Sequence, residues 1–215
     1  MKIWGAGTAR TLRAIWTAEE LGLKYELAPI GPRTGETKTD EYTSLTRKQK
    51  VPFLIDGDVH LSESVAISRY LLSNYTADGV WAPQTALEKA KEDEWVCYIY
   101  GELDETSLYI MRRHGDLANI YGGSAEIVQS AKCYAERHLG VVAKYLAGHE
   151  TVMKQGFGLA DIMLVSCLDW ARFYGVAVPG SLMDYRNTIA ERDAYRKAMQ
   201  INYAKFDNLE NIMGG

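Results

Sequence analysis

The sequence is short of most features that would assign it quickly. Its three cysteines, Cys97, Cys133 and Cys167, lie far apart with no C-x-x-C pair. That argues against a disulfide framework or a zinc site and points to a reducing compartment. Lys and Arg number 24 against 28 Asp and Glu, for a net charge of −4, so a broad phosphate-binding surface and a nucleic-acid partner are not expected. Arg47-Lys48-Gln49-Lys50 is too short a basic cluster to change that. No apolar run approaches a membrane span, and Met1-Lys2-Ile3-Trp4 leads into a strand-like segment without the apolar core of a secretory signal. Internal repeats and low-complexity tracts are missing too. These absences leave a cytoplasmic globular protein as the expectation, without a membrane partner or a metal. What is there is ordinary in bulk, 47% hydrophobic and 24% charged, but fourteen Tyr and five Trp supply amphipathic rings for a pocket or an interface.

Along the chain, strand and helix signals alternate first. Residues 2–4 read as a strand, 5–7 as a tight turn and 8–22 as a helix whose Leu12, Ile15 and Trp16 share one face. Residues 25–28 resume as a strand, and 31–40, rich in Gly, Pro and Thr, as a loop or irregular helix. Phe53-Leu54-Ile55 and Val59-His60-Leu61 flank Asp56-Gly57-Asp58, a hairpin signature. A helix over 62–75 follows, with Ala66, Ile67, Tyr70 and Leu71 as its buried stripe. The order β-α-β-β-β-α resembles a thioredoxin-like layer. From residue 86 only helical patterns recur, over 86–113, 124–146, 159–174 and 183–200. The expected organisation is therefore an α/β, thioredoxin-like N-terminal domain over 1–77, a linker over 78–85, and an all-helical C-terminal domain over 86–215.

Two local signals carry chemistry. Val51-Pro52 joins a loop to a buried strand. A cis bond there would leave the Val51 N–H and C=O at a sheet edge, free to pair with an extended peptide, whereas a proline merely opening an edge strand would mean nothing. Ser62-Glu63-Ser64 opens a helix. Its N-terminal amides and the Ser64 hydroxyl suit a carboxylate and Glu63 suits an ammonium, together an amino-acid zwitterion. The plain alternative is helix capping, with Ser62 as N-cap.

Taken together, the two resemble the glutathione transferase superfamily, in which V-P, a hairpin and E-S-x-A-I-x-x-Y-L follow one another; here the last reads Glu63-Ser64-Val65-Ala66-Ile67-Ser68-Arg69-Tyr70-Leu71. The upstream run Gly35-Glu36-Thr37-Lys38, Tyr42, Leu45, Lys50-Val51-Pro52 is similar to theta- and phi-like members, with Thr46-Arg47 departing from the usual Asn-Pro. Gly156-Phe157-Gly158-Leu159-Ala160-Asp161 resembles the S-x-A-D helix start with Gly158 in place of the hydroxyl residue, which gives Asp161 a structural role. Ala190-Glu191-Arg192-Asp193 echoes a late turn of the family. The resemblance implies glutathione as co-substrate and no metal. Val51, beside Pro52, would pair with the cysteinyl backbone, Glu63 and Ser64 would hold the γ-glutamyl end, and Lys38 and Lys50 would face the glycyl carboxylate. It also implies a homodimer, with Glu102, Asp104 and Glu105 near glutathione's amino end across the interface.

Activation of the thiol calls for a donor at the turn after the first strand. The family pattern S-x-x-S/T-x-R/K-V/A selects Thr8, with Thr11 at the second hydroxyl and Arg13 at the basic position. Thr11, Arg10 and the backbone alone stand as alternatives. No cysteine occupies this turn, so a mechanism through an enzyme thiol is not expected there. The electrophile, a small hydrophobic molecule, is implied to meet Tyr109 and Arg112, with Trp170 and Tyr174. The readings held open are conjugation, glutathione-dependent reduction of disulfides or peroxides, cleavage of ethers or thioethers, and a non-catalytic binding module.

Overall fold

The computed structural model describes residues 1–205. The chain divides into two compact units: Met1–Ala82 together with the segment that starts at Ala190, and Pro83–Ile189. The break falls inside the expected linker. The described C-terminal segment, expected in the helical domain, packs with the first unit.

In the first unit β1 (Lys2–Trp4), β2 (Glu26–Ala28), β3 (Phe53–Asp56) and β4 (Val59–Ser62) form one sheet in the order β2-β1-β3-β4. β1 and β2 are parallel, joined through α1 (Ala9–Glu20); β3 is antiparallel to β1 and to β4. The β3–β4 hairpin turns at Gly57, whose φ of 58° is the positive angle a two-residue turn demands. α2 (Asp40–Leu45) and a 3-10 turn (Glu36–Lys38) occupy the polar segment, and α3 (Ser64–Asn74) follows β4. This is a thioredoxin-like domain, as expected.

The two-residue alternation of the short strands buries Ile3 and Leu54 completely, and Trp4, Tyr42 and Phe53 form a second apolar cluster. α1 is buried over Thr11–Ala18, well beyond the expected stripe, because it packs between α3 and α10 (Asp193–Asn202). Trp16 meets Tyr195 edge-on at 4.9 Å. The helix ends on two glutamates, which its own dipole disfavours, and α10 and its N-cap supply the cations that offset them. Lys197 reaches Glu19 at 2.6 Å, and Arg192 grips Glu20 with Nε and Nη2, both at 2.7 Å. Because the Glu20 side chain is only 5% exposed, Arg192→Met would strand a buried carboxylate. It is expected to lower unfolding stability by about 3 kcal/mol. Urea unfolding measures this, and a loss within experimental error would remove Arg192 from the packing account.

Among the described residues every regular element of the second unit is a helix: α4 (Ala86–Tyr98), a π-helical stretch (Ile99–Tyr109), α5 (Ile110–His114), α6 (Ala118–Tyr121), α7 (Ala125–Tyr145), α8 (Leu159–Phe173) and α9 (Gly180–Ala190). α8 is buried nearly all round, which fits its continuous apolar sequence and makes it the central helix of this unit. Two expectations are corrected. The helix expected over 86–113 is not uniformly α. It widens at Ile99, where the Ser107 hydroxyl donates to the carbonyl of Glu102 five residues back. The helix expected over 183–200 is two helices, α9 and α10, with Arg192 as the N-cap of the second.

The Gly158 start of α8 shows how a missing cap is replaced. Asp161 accepts from the Gly158 N–H at 2.9 Å, the Val152 N–H at 2.8 Å and the Tyr185 hydroxyl at 2.6 Å. The Leu159 N–H, another open donor of the first turn, donates to the fully buried Glu92 of α4 at 3.1 Å. Asp161 is structural, as the motif implied; the contribution of Glu92 has no local sequence signal.

Candidate functional site

Strand register decides which loops share a neighbourhood. Trp4 stands opposite Ala28 and Phe53, and Phe53 opposite Ser62. The β1–α1 turn, the loop entering β3 and the start of α3 therefore leave the sheet at one end. Gly5 makes the approach close. A Cβ there would lie 2.6 Å from Val51 Cβ and 2.8 Å from Thr11 Cγ2, and its φ is 113°, so glycine is required both by space and by backbone.

The Val51-Pro52 bond is cis. None of the loop and turn hydrogen bonds among the described residues engages the main chain of Val51. The preceding peptide is pinned from below: the Tyr42 hydroxyl donates to the Lys50 carbonyl at 2.6 Å, and burial raises the phenol's pKa, which keeps it a donor. Lys50 and Lys38 are exposed, Lys38 at the end of the 3-10 turn.

At α3 the capping account fails. Ser62 closes β4, and the N-cap is Glu63, with φ 75° and ψ 123° and no side-chain cap bond. A positive φ at a glutamate is uncommon and concentrates where a site over-determines the backbone. Ser64 follows as the first helical residue and is 4% exposed. The first amides of an eleven-residue helix thus have no side-chain cap. Lys48, which lies in no motif of its own, pairs with Glu63 at 3.1 Å, both side chains being more than half exposed.

The β1–α1 turn presents hydroxyls. Thr8 is the N-cap of α1 and shares a reciprocal capping box with Thr11. Thr8 is half-buried; Thr11 is wholly buried, so its hydroxyl has no surface to offer a ligand. Arg10 is half-buried on the first turn of α1, and Arg13 is buried within it. Asn202, at the end of α10, also reaches the turn, bonding to Gly7, Thr8 and Thr11. Its distance along the chain hid it from any local pattern.

In the second unit Tyr109 and Arg112 are half-buried on consecutive turns, and Trp170 stacks obliquely with Tyr174 at 6.3 Å. Tyr174 is tied through its hydroxyl to Asp116; burial and that carboxylate raise its pKa and keep it neutral. Glu102 accepts from Tyr134, Glu105 accepts from Tyr100 at 3.0 Å, and Asp104 is buried. The three cysteines carry free thiols, with Cys167 buried. Among the described residues no group of three or more His, Cys, Asp or Glu is arranged to hold a metal ion, and no helix is long and apolar enough to cross a membrane.

One end of the sheet therefore offers unpaired main-chain groups beside a cis proline, a carboxylate, an open helix N-terminus and a hydroxyl on a second helix N-terminus. Such a set can hold an extended zwitterionic peptide and place a thiol against a hydroxyl donor. Residues 1–73 match the family model described as glutathione S-transferase, N-terminal domain. Glutathione S-transferase theta-3 of Mus musculus is 37% identical over 87 residues, which cover 40% of this chain and 36% of that protein. Theta-1 of Bos taurus is 28% identical over 159 residues, 72% of this chain and 66% of that one, so the chain spans between about a third and two thirds of these curated relatives. Among solved structures, a theta class glutathione S-transferase from Xanthomonas axonopodis pv. citri with glutathione bound superposes with a TM-score of 0.78 at 25% identity, covering 92% of this chain and 95% of that one.

Proposed function

We propose that this chain, which resembles the cytosolic glutathione transferase superfamily, binds glutathione, stabilises its thiolate through Thr8 and conjugates it to a small hydrophobic electrophile. The observation that carries this reading is the convergence at one sheet end of Val51 beside cis Pro52, the uncapped start of α3 at Glu63 and Ser64, and the hydroxyl of Thr8. In the proposed complex the cysteinyl backbone of glutathione pairs with Val51 as an added strand. The γ-glutamyl carboxylate lies on the α3 amides and the Ser64 hydroxyl, and its ammonium takes the place on Glu63 that Lys48 holds in the free chain. Lys38 and Lys50 balance the remaining carboxylate charge. Tyr109, Arg112, Trp170 and Tyr174 are the proposed contacts for the electrophile. The chain is proposed to work as a cytoplasmic homodimer, a state that sedimentation can check.

A free cysteine thiol titrates near about 8.5, so at neutral pH only a small fraction is nucleophilic. A hydroxyl donor at the positive end of α1 favours the anion by a hydrogen bond and by the helix dipole. The sulfur then attacks the electrophilic carbon, forming the S–C bond as the leaving group departs with its electron pair.

Calorimetric titration with glutathione and conjugation of an aryl halide test the proposal together. Binding with conjugation is the expected result. Binding without conjugation would favour reduction or ether cleavage, and no binding would favour a non-catalytic module; either overturns it. Glu63→Gln separates binding from chemistry. It is expected to raise KM for glutathione about tenfold with kcat little changed, as loss of a charge-assisted contact that substrate and transition state share. A fall in kcat at unchanged KM would remove Glu63 from the ammonium site.

A further inference from the structure

The turn that carries Thr8 is held by a residue from the far end of the chain. Asn202 is 2% exposed, at the last turn of α10. Its main-chain carbonyl accepts from the Gly7 N–H at 2.8 Å and its Oδ1 from the same N–H at 3.2 Å; its Nδ2 donates to the Thr8 carbonyl at 3.0 Å. These partners leave no freedom in the amide's orientation, since an N–H can only donate and a carbonyl can only accept.

That orientation decides where the buried hydroxyl proton goes. Thr11 Oγ1 lies 2.7 Å from Asn202 Oδ1, 2.9 Å from the Thr8 carbonyl and 3.0 Å from Thr8 Oγ1. The Thr8 carbonyl already accepts from Asn202 Nδ2 and from the Leu12 N–H at 2.9 Å, which uses both of its lone pairs. The single Thr11 proton therefore goes to Asn202 Oδ1. Thr11 is left as an acceptor, taking the Thr8 N–H at 3.0 Å, while Thr8 Oγ1 accepts the Thr11 N–H at 3.0 Å. Of the two hydroxyls, only that of Thr8 keeps a proton it can turn outward.

Resting on the reading of Thr8 given above, we propose that Asn202 is a positioning residue for the thiol site. It clamps the β1–α1 turn on both sides of Thr8 and commits the Thr11 proton inward, making Thr8 the donor to the glutathione sulfur. It acts through Thr8 and does not touch the substrate.

The thiol pKa of bound glutathione, read from thiolate ultraviolet absorbance against pH, tests this in the full chain. Asn202→Leu keeps the shape and removes every side-chain hydrogen bond. It is expected to raise that pKa by about one unit, lowering kcat/KM roughly threefold at neutral pH, more at lower pH, and recovering at alkaline pH. Affinity for S-methylglutathione, which has no thiol to ionise, should stay within about twofold. Thr8→Val should raise the pKa further, and the double variant no further than Thr8→Val alone, because one residue works through the other. An unmoved pKa in Asn202→Leu beside a raised one in Thr8→Val overturns the role of Asn202 and leaves the functional reading intact. An unmoved pKa in Thr8→Val overturns that reading itself. Equal weakening of S-methylglutathione binding would show general disruption and also overturn the role. Should Asn202→Leu fail to fold, Asn202→Ala, whose vacated space admits water to the freed backbone groups, is read in the same way.

Discussion

Thr8→Val is expected to lower kcat/KM for conjugation at neutral pH by about 25-fold, approaching about a hundredfold at more acid pH, with KM for glutathione little changed. The magnitude follows from the thiol: depressing a pKa of about 8.5 by roughly two units needs about 2.7 kcal/mol of preference for the anion, which one charge-assisted hydrogen bond at a helix N-terminus approaches. Valine matches threonine in shape and removes only the hydroxyl. The same change deletes the N-cap of α1, at a stability loss of about 1 kcal/mol. Unfolding measurements must therefore accompany the kinetics, and Thr8→Ser should restore both. The pH profile gives the clearest signature. The acid limb of kcat/KM should move upward in pH, and the variants should converge above the thiol pKa, where the donor is no longer needed. Turnover indistinguishable from the unmodified chain would sink the assignment and return attention to Arg10 and the backbone.

The second large effect is on stability. Asp161→Ala is expected to lower the unfolding free energy by about 4 kcal/mol, since it strands the N–H groups of Val152 and Gly158 and the hydroxyl of Tyr185 inside the second unit. A loss below about 1 kcal/mol would mean that water or a backbone shift re-satisfies those donors. Asp161 also gives stability a pH dependence of unusual sign for a carboxylate. Burial, with Glu92 nearby, raises its pKa from 3.8 to about 6 in spite of its three donors. The native state therefore binds this proton more tightly than the unfolded chain does. The stabilisation is fully present below about pH 4 and is lost as pH rises through about 6, in total about 3 kcal/mol. Asp161→Asn abolishes the titration. Relative to it, the unmodified chain should lose stability between pH 4 and pH 6 in denaturant unfolding, and a parallel pair of profiles would contradict the assignment.

Much of the candidate site was legible because its parts are local. Phe53 to Ser62 announce a hairpin by alternation around Gly57, and the hairpin sets the spacing between Val51-Pro52 and Glu63-Ser64. Thr8 and Thr11 are three apart at a helix start, the separation a capping box uses. A local rule misleads where it has a competitor. Ser62 looks like an N-cap, yet the strand claims it and the helix begins two residues later at Ser64. The π-helical stretch has no periodic signature distinct from an α-helix over so few turns. Lys48, Lys50 and Lys38 are chemically alike, and only the fold put Lys48 on Glu63.

By itself, then, the sequence determined the order of strands and helices in the first unit, the helical character of the second, and the motif from Val51 to Ile67 with its bias toward a zwitterionic peptide. The tertiary structure alone decided that the segment after Ala190 packs against α1, that Arg192 holds Glu20, that Glu92 serves the start of α8, and that Asn202 takes the proton of Thr11. The physical reason is common to all four. Periodicity and capping are rules about residues a few positions apart, whereas a buried polar group must be matched by whichever side chain the packing of distant helices brings within hydrogen-bond reach. Nothing in the residue type of Asn202 names Thr11 as its partner; the packing of α10 on α1 does.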